Sequence, residues 1–425
     1  MVNDWELMKA TLLKQGDTYA GRPHNFLFEY FRKGPYGIIF TSGDLWREQR
    51  RFALHVLRDL GFGRSIMEDR ILDESNEFLK AVKQLSYENG GRMNLYEPLQ
   101  TCVGNIVNGL VFGFRFEDGG KQTNIIKKQI DRVNEEFSED WRVMMLFFTP
   151  TARHFPFMKP AFDKLDDITK VLFDFLEPEI KKQEEKLDLN SEPSCYAGAY
   201  LKEMKEREAK GDKGYFSYEQ LRAAVMDIWL AGLETTVTTL YWCAIYMIHY
   251  PEVQAKVQKE IDENVGRDTE IRMSDKAKLP YTTAMITELQ RRVNLLPFNL
   301  MHTVTEDVFL EGYRIPKDTM VIPQISSILS NEQIFPDPMN FNPGRFLEED
   351  GVTSKKVEQV VPFSLGKRSC LGEALARMEL FMVMANLLRK FTIEKAPFAP
   401  MPSLKSTSKS EMTPFEYECV LKERV

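Results

Sequence analysis

Cys370 lies in the segment PFSLGKRSCLGE, residues 362–373, where one arginine and two glycines surround a single cysteine. Arg368 offers a fork of donors suited to a carboxylate. Apolar residues at three- and four-residue steps over 371–390 predict a helix directly after the cysteine, and helix N-terminal amides stabilise a thiolate. Gly366 and Gly372 let the backbone approach another group closely. A thiolate with an arginine for carboxylates nearby is what a haem iron and its propionates require.

Two other roles for Cys370 stay open at this point. A nucleophilic cysteine needs a positioned base, usually histidine, and nothing in the sequence marks any of the five histidines for that role. A buried structural cysteine is the ordinary alternative for an arbitrary position. The five cysteines are widely spaced and form no CxxC pair, which indicates a reducing compartment rather than a disulfide framework.

The cysteine segment resembles the F-x-x-G-x-R-x-C-x-G signature of the cytochrome P450 superfamily. The matching residues are Phe363, Gly366, Arg368, Cys370 and Gly372. The resemblance implies that Cys370 is the axial ligand of the iron of haem b, and that the other four residues bind this cofactor.

Further motifs of the family follow in its order. Trp46 and Arg50 in LWREQRR resemble a W-x-x-x-R helix whose two residues contact a haem propionate, although the segment alone would pass for an amphipathic helix with a basic face. His302 aligns with a propionate-binding position, whereas a lone histidine is more often a satisfied polar residue. The resemblance therefore assigns all three to the cofactor site.

The segment ELQRR resembles the E-x-x-R pair of the family. Glu288 and Arg291 are three residues apart and share a helix face, which an ordinary surface pair would also do. The resemblance implies a buried structural triad completed by Arg345 in FNPGRF. One departure is Gly344, where the family usually has glutamate.

The segment AGLETT, residues 231–236, interrupts the longest helical pattern with a glycine and two threonines. Gly232 costs a helix about 1 kcal/mol relative to alanine, and threonine hydroxyls that bond back to carbonyls bend helices. A simple helix bend is therefore one interpretation of this segment. The other is that it resembles the family's A-G-x-[DE]-T-T element, which lies on the oxygen side of the haem. This resemblance implies that Thr235 and Glu234 are catalytic and deliver protons, while Ala231 and Gly232 leave room for a diatomic ligand.

The motifs together imply a haem-thiolate monooxygenase that inserts one oxygen atom of O2 into an apolar substrate such as a fatty acid, steroid or foreign compound. The segments at 25–40, 294–300 and 408–415 correspond to pocket positions of the family, and each could equally be core. Two alternatives remain: a peroxide isomerase that needs neither reductase nor dioxygen, against which the Glu234–Thr235 pair argues, and a non-catalytic remnant.

No flavin or dinucleotide motif occurs in the sequence, so electrons must come from a partner. The segments FSLGKRSCLGE and AGLETT resemble those of the microsomal group of the family. This resemblance implies an NADPH-dependent flavoprotein reductase as electron donor, with cytochrome b5 as an optional second donor. It also implies the cytoplasmic face of the endoplasmic reticulum membrane. Arg47, Arg51 and Lys367 could form a basic docking patch, or could be ordinary solvated charge.

The composition excludes several other classes of function. A net charge of −7 and a pI near 5.6 argue against a nucleic-acid binder, and no HExxH motif supports zinc hydrolysis. The longest uncharged run, residues 235–251, falls short of the roughly 20 apolar residues that a membrane span needs.

The elements that must position these residues are mostly helices. Periodicity predicts helices near 66–87, 92–113, 122–145, 160–187, 195–210, 217–249, 251–266, 280–294 and 371–390. Residues 302–324 predict a strand pair. We expect one mainly α domain over residues 1–425 with small peripheral β-sheets, as in the cytochrome P450 fold. Relative to the family the first segment is missing, so we also expect an unpaired edge beside 302–324.

Overall fold

The computed structural model describes residues 1–61, 65–116, 140–408 and 411–424. It is mainly helical. The helices in chain order are α1 (Trp5–Met8, continued by a π-helix at Lys9–Lys14), α2 (Phe26–Arg32), α3 (Gly43–Asp59), α4 (Ser65–Glu88), α5 (Tyr96–Val111), α6 (Trp141–Phe148), α7 (Lys159–Glu185), α8 (Tyr196–Ala209), α9 (Tyr218–His249), α10 (Pro251–Asn264), α11 (Pro280–Val293), α12 (Ile325–Leu329) and α13 (Glu373–Lys390).

The predicted helices agree with this order to within a few residues, with two exceptions. The segment predicted at 92–113 begins with a short strand, and its helix starts only at Tyr96. Of the segment predicted at 122–145, residues 122–139 lie outside the described residues, and Trp141–Phe148 is helical. Prolines stand in the first turn of α10 and of α11, where their missing N–H costs nothing.

The strand prediction at 302–324 is confirmed as two antiparallel pairs. Strand β2 (His302–Thr303) pairs with β5 (Met320–Val321), and β3 (Val308–Leu310) pairs with β4 (Tyr313–Ile315). The turn between β3 and β4 holds Glu311 and Gly312 at positive φ, which suits a tight hairpin.

The expectation of an unpaired edge beside this region is wrong at residues 322–324. Val2 forms a parallel bridge with Pro323. Its amide donates to the Ile322 carbonyl at 2.9 Å, and its carbonyl accepts from the Gln324 amide at 2.8 Å. The N-terminal segment thus satisfies these backbone groups, which an edge strand would leave to solvent.

A third sheet has the order β1–β7–β6 and is antiparallel throughout. Its strands are β1 (Arg92–Met93), β6 (Phe391–Lys395) and β7 (Cys419–Glu423). It joins segments more than 300 residues apart in sequence. Strand β1 has only two residues, too few for an alternating pattern, whereas buried side chains alternate along β6 and along the first part of β7.

The chain divides into two compact units. The first comprises residues 1–20, 61–103 and 232–425, and the second comprises residues 21–60 and 104–231. The organisation of residues 1–425 as one domain therefore stays a prediction. No helix in the described part of the chain is long and apolar enough to cross a membrane.

In the second unit, Asp227 of α9 holds the loop between α2 and α3. One carboxylate oxygen accepts from the amides of Ile38 and Ile39 at 2.8 and 2.9 Å, and the other accepts from Arg32 Nε at 3.0 Å. Asp227 and Arg32 are both buried, and Gln220 adds hydrogen bonds to both backbone groups of Gly37. The loop backbone is thus fixed by side chains of one helix.

Candidate active site

The Cys370 side chain is exposed, whereas the other four cysteines of the chain are buried. It follows a 3-10 turn at Gly366–Arg368, and its amide donates to the Phe363 carbonyl at 2.9 Å, which closes the loop. Helix α13 begins at Glu373 with Gly372 as its N-cap, two residues later than predicted. The sulfur therefore stands just before a helix N-terminus, where a thiolate is favoured.

Gly366 has φ +77°, a conformation that side chains other than glycine rarely adopt. A Cβ atom built at this position would lie 1.9 Å from the Leu12 carbonyl oxygen. The close approach that the sequence indicated is thus made to the π-helix at Lys9–Lys14, and it fixes the start of the cysteine loop.

Gly372 differs from Gly366, because a Cβ atom there would meet no atom within 4 Å. The space beside the cysteine is open on this side. The Phe363 ring, at the other end of the loop, lies 4.8 Å from the guanidinium carbon of Arg377, which pairs with Glu373. Arg377 of α13 thus contacts the cysteine loop at Phe363, while the space beside Gly372 is clear of protein atoms.

Arg368 and His302 come from distant parts of the sequence and meet at adjacent backbone carbonyls. Arg368 Nε donates to the Ala20 carbonyl at 2.8 Å, and His302 Nδ1 lies 2.7 Å from the Tyr19 carbonyl. A carbonyl oxygen only accepts, so His302 carries its proton on Nδ1. Both side chains are buried, and the structure brings together these two predicted site residues.

Glu288, Arg291 and Arg345 form the predicted triad. Arg291 donates to both carboxylate oxygens of Glu288, from Nε at 2.7 Å and from Nη2 at 2.8 Å, and Arg345 Nε donates at 3.3 Å. The remaining donors of Arg291 reach the carbonyls of Leu329 and Pro338.

Gly344 lies in the 3-10 turn at Pro343–Phe346, and the Asn342 side chain caps it by accepting from the Gly344 amide at 3.0 Å. The Asn342 amide in turn donates to Glu288 at 3.0 Å. The departure at Gly344 thus leaves a turn that is hydrogen-bonded to the triad.

The AGLETT segment lies inside the continuous helix α9. Glu234 is buried and accepts a hydrogen bond from the Tyr96 hydroxyl at 3.0 Å. Ala231 is exposed, and Gly232 and Thr235 are half-buried, so one face of the helix is open at this point. The back-bonding that bends helices occurs at Thr239, whose hydroxyl donates to the Thr235 carbonyl at 2.8 Å.

A cavity in the first unit joins α9 to the cysteine loop. Its volume is about 50 Å³. Its walls include Thr235, Thr236, Thr239, Leu295, Phe363 and Ala376. The structure therefore places the predicted oxygen-side threonine and the predicted loop phenylalanine on one cavity.

Trp46, Arg50 and Ala231 belong to the second unit. Trp46 is buried and Arg50 is half-buried, both on α3. Burial and the neighbouring charge of Arg50 lower the pKa of the buried Arg22 to about 10. Two close cations, one of them buried, favour an anion between them. The joint action of Trp46 and Arg50 on a propionate stays a prediction.

Sequence reasoning missed Arg22 and Tyr96. Arg22 stands between glycine and proline in a segment without periodicity, and Tyr96 meets Glu234 across 138 residues of sequence. Neither residue carried a local signal.

The arrangement fits a haem. The thiol is accessible, the space at Gly372 is clear, and the cavity adjoins the loop. In the first unit the buried Arg368 suits a propionate. Cys370 would be the axial ligand, and Phe363, Arg368 and Gly372 would line the cofactor.

Comparisons with known proteins agree with this chemistry. The family model described as "Cytochrome P450" matches residues 1–419. The chain is 35% identical to cytochrome P450 2H2 of Gallus gallus over 390 residues, which cover 92% of this chain and 77% of that protein. It is 34% identical to cytochrome P450 2C23 of Rattus norvegicus over 403 residues, which cover 93% of this chain and 78% of that protein. It is 32% identical to probable cytochrome P450 CYP36A1 of Caenorhabditis elegans over 425 residues, which cover 98% of this chain and 84% of that protein.

Proposed function

The chain belongs to the cytochrome P450 family, and from this premise we propose that it oxygenates an apolar substrate with electrons from an NADPH-dependent flavoprotein reductase. As a member of the family it is a monooxygenase whose haem iron has a cysteine thiolate as axial ligand. The observation that carries the proposal is the exposed Cys370 thiol, at the end of the loop whose Phe363 shares a cavity with Thr235.

The bound haem supplies dioxygen activation, and the thiolate favours O–O cleavage. The chain supplies the position of the thiolate and the control of protons. The closed loop from Phe363 to Cys370 fixes the sulfur, and the N-terminus of α13 stabilises its negative charge.

Protons are delivered, in this proposal, by Thr235 and Glu234. The Thr235 side chain borders the cavity, and Tyr96 holds the Glu234 carboxylate by donating to one of its oxygens. Burial raises the pKa of nearby Glu411 to about 7, and the charge of Glu234 adds to this rise. Because its pKa is near 7, the Glu411 carboxyl can give up and regain a proton at physiological pH.

The proposed substrate class rests on the apolar residues of the cavity wall, which also contains threonines. Leu295, which follows α11, borders the cavity with Phe363. Met412 is fixed beside Leu295, because its amide donates to the Leu295 carbonyl at 2.9 Å. Such a lining suits a fatty acid, a steroid or a foreign compound. Residues 409 and 410 of the predicted pocket segment lie outside the described residues.

The reductase would dock on exposed cations. Of the three predicted docking residues, Arg47 pairs with Asp44 at 2.8 Å and Lys367 pairs with Asp17. Arg51 is exposed and forms no ion pair within the described part of the chain. We therefore propose Arg51 as the main docking charge for an acidic reductase surface. Cytochrome b5 would use the same kind of contact.

For localisation we propose the cytoplasmic face of the endoplasmic reticulum membrane. The support is the resemblance of the cysteine and AGLETT segments to the microsomal group.

The first test is the carbon monoxide difference spectrum of the reduced protein, compared between the wild type and Cys370→Ala. We expect a strongly red-shifted Soret band that the variant loses. Cys243→Ala, which removes a buried cysteine, is the matched control and should keep the band. A chain that binds no haem is the inactive remnant, and the proposal is then wrong.

The second test separates the monooxygenase from the isomerase. Turnover of an apolar substrate is measured with and without NADPH and reductase. We expect strict dependence on both. Rearrangement of a peroxide without either would identify the isomerase.

A further inference from the structure

Arg292 on α11 directly follows the triad arginine but, within the described residues, forms no ion pair. Its neighbour Arg291, by contrast, binds both carboxylate oxygens of Glu288. The Arg292 Nε atom is buried and has no hydrogen-bond partner in the same part of the chain. A guanidinium N–H that loses water without gaining an acceptor is costly. Arg292 therefore has donor capacity that the protein leaves unused.

The side chain of Met339 provides Arg292 with a weak acceptor. Arg292 Nη1 donates to the Met339 sulfur at 3.7 Å, and a thioether sulfur accepts hydrogen bonds only weakly. Met339 is 65% exposed, so small solutes can reach its side chain. A charged donor and an oxidisable sulfur thus lie side by side at the surface.

Met339 lies in a loop whose backbone supports the triad. The Pro338 carbonyl accepts from Arg291 Nη2 at 2.8 Å, and the Asp337 carbonyl accepts from Arg345 Nη2 at 2.6 Å. A stronger bond between the Met339 side chain and α11 would therefore hold the loop in the position in which it binds both arginines.

We propose that Met339 is a site of oxidation by hydrogen peroxide, and that the oxygen of the resulting sulfoxide becomes a strong acceptor for Arg292. A lone pair of the sulfur attacks one peroxide oxygen, the O–O bond breaks and an S–O bond forms. The departing hydroxide takes the proton of the transferred hydroxyl and leaves as water. The sulfur loses two electrons and the peroxide gains them. The Arg292 guanidinium assists by donating a hydrogen bond to the departing oxygen.

Oxidation at this position should tighten the structure. Oxidation of methionine commonly disrupts a protein, because it turns an apolar side chain in a core or an interface into a polar one. Met339 is exposed, so little apolar contact is lost, and a donor without a good acceptor stands beside it. A hydrogen bond from a charged donor to an oxygen is stronger than one between neutral groups. This inference goes beyond the proposed function and does not depend on it.

The first test measures where peroxide reacts. The holoprotein is treated with hydrogen peroxide, with imidazole present to occupy the haem iron, and the sulfoxide at each methionine is quantified over time by peptide mass spectrometry. We expect Met339 to be oxidised several-fold faster than Met401, which is 50% exposed. Arg292→Leu should slow the oxidation of Met339 to the rate of Met401. Equal rates at the two methionines of the wild type would overturn the inference.

The second test measures the loop by hydrogen exchange of the amides of residues 339–341. These amides should exchange about tenfold more slowly in the oxidised wild type, because a hydrogen bond to a charged group contributes stability of that order. In Arg292→Leu, oxidation should leave the exchange rate unchanged. Unchanged or faster exchange in the oxidised wild type contradicts the proposed bond.

Two variants at the exposed position 339 serve if Arg292→Leu does not fold. Met339→Gln presents a carbonyl oxygen in place of the sulfur and should show slow exchange without peroxide. Met339→Leu has a similar size but no acceptor, and it should exchange like the unoxidised wild type before and after peroxide. If both variants exchange alike, an acceptor at this position does not hold the loop and the inference is wrong.

Discussion

Glu288 and Arg291 form a bidentate ion pair within a single helix, with N–O distances of 2.7 and 2.8 Å and both side chains buried. Three residues apart, they share one helix face, and Arg345 adds a second cation to the same carboxylate. The cluster ties α11 to the turn at Pro343–Phe346.

Glu288→Gln should strongly destabilise the protein, because it leaves two arginines without their counter-charge. Breaking a buried pair in this way costs about 3–5 kcal/mol. The measurement is the free energy of unfolding in denaturant. As a control, Glu263→Gln breaks the exposed pair with Lys259 and should change the free energy of unfolding by less than about 1 kcal/mol. Equal effects of the two variants would show that the triad is not structural.

Gly366→Ala should be more damaging than Gly351→Ala, although both glycines have positive φ. Alanine at Gly351 meets no neighbour, so only the backbone strain of about 1–2 kcal/mol remains. At Gly366 the new methyl group collides with the Leu12 carbonyl, and the N-terminal segment must move. Unfolding free energies of both variants check this. A smaller loss at Gly366 would contradict it.

Gly372→Ala should separate folding from haem binding. The added Cβ meets no protein atom, so the stability of the haem-free chain should change by less than about 0.5 kcal/mol. Haem content per chain should fall if the cofactor occupies the clear space. The pyridine haemochrome assay gives that content. Full haem content in the variant would place the cofactor elsewhere.

The stability of the protein should fall as the pH rises toward 8 because of Glu379. Its pKa is raised in the folded state to about 8 from 4.5, so the stabilisation is complete below pH 4.5 and is lost as the pH rises through 8. The loss is on the order of 2–4 kcal/mol at high pH, and Glu379→Gln should remove this dependence. Denaturant titrations from pH 5 to about pH 9 check the sign. A wild type and variant with parallel pH profiles would contradict it.

Arg51→Glu should raise the KM for the reductase several-fold, and more at low salt, while kcat at saturating reductase stays near the wild-type value. The measurement is NADPH-dependent turnover against reductase concentration. Lys181→Glu changes an exposed lysine of α7 and should leave the KM unchanged. A similar effect of both variants would indicate net charge rather than a docking site.

Local features of this chain could be read from the sequence, and long-range ones could not. The helix predicted at 371–390, which begins at Glu373, and the Glu288–Arg291 pair depend on residues within one or two turns. Periodicity and spacing are sufficient for such elements.

The contacts that sequence reasoning missed join distant segments. Tyr96 meets Glu234 across 138 residues and Thr236 meets Glu379 across 143 residues. Nothing beside any of these residues indicates its partner, because a single polar contact between two helices leaves no periodic trace. The unpaired edge expected beside 302–324 is wrong at residues 322–324 for the same reason, since Val2, from the other end of the chain, bridges Pro323.

The hydrogen bonds from the loop between α2 and α3 to Asp227 affect which substitutions this protein can tolerate during evolution. The carboxylate binds the amides of Ile38 and Ile39, and Gln220 binds the backbone of Gly37. These bonds do not depend on the identity of the side chains at positions 38 and 39. Substitutions at the half-buried position 39 can therefore change the surface of the loop while its backbone keeps its shape, whereas the buried Ile38 side chain is also constrained by packing.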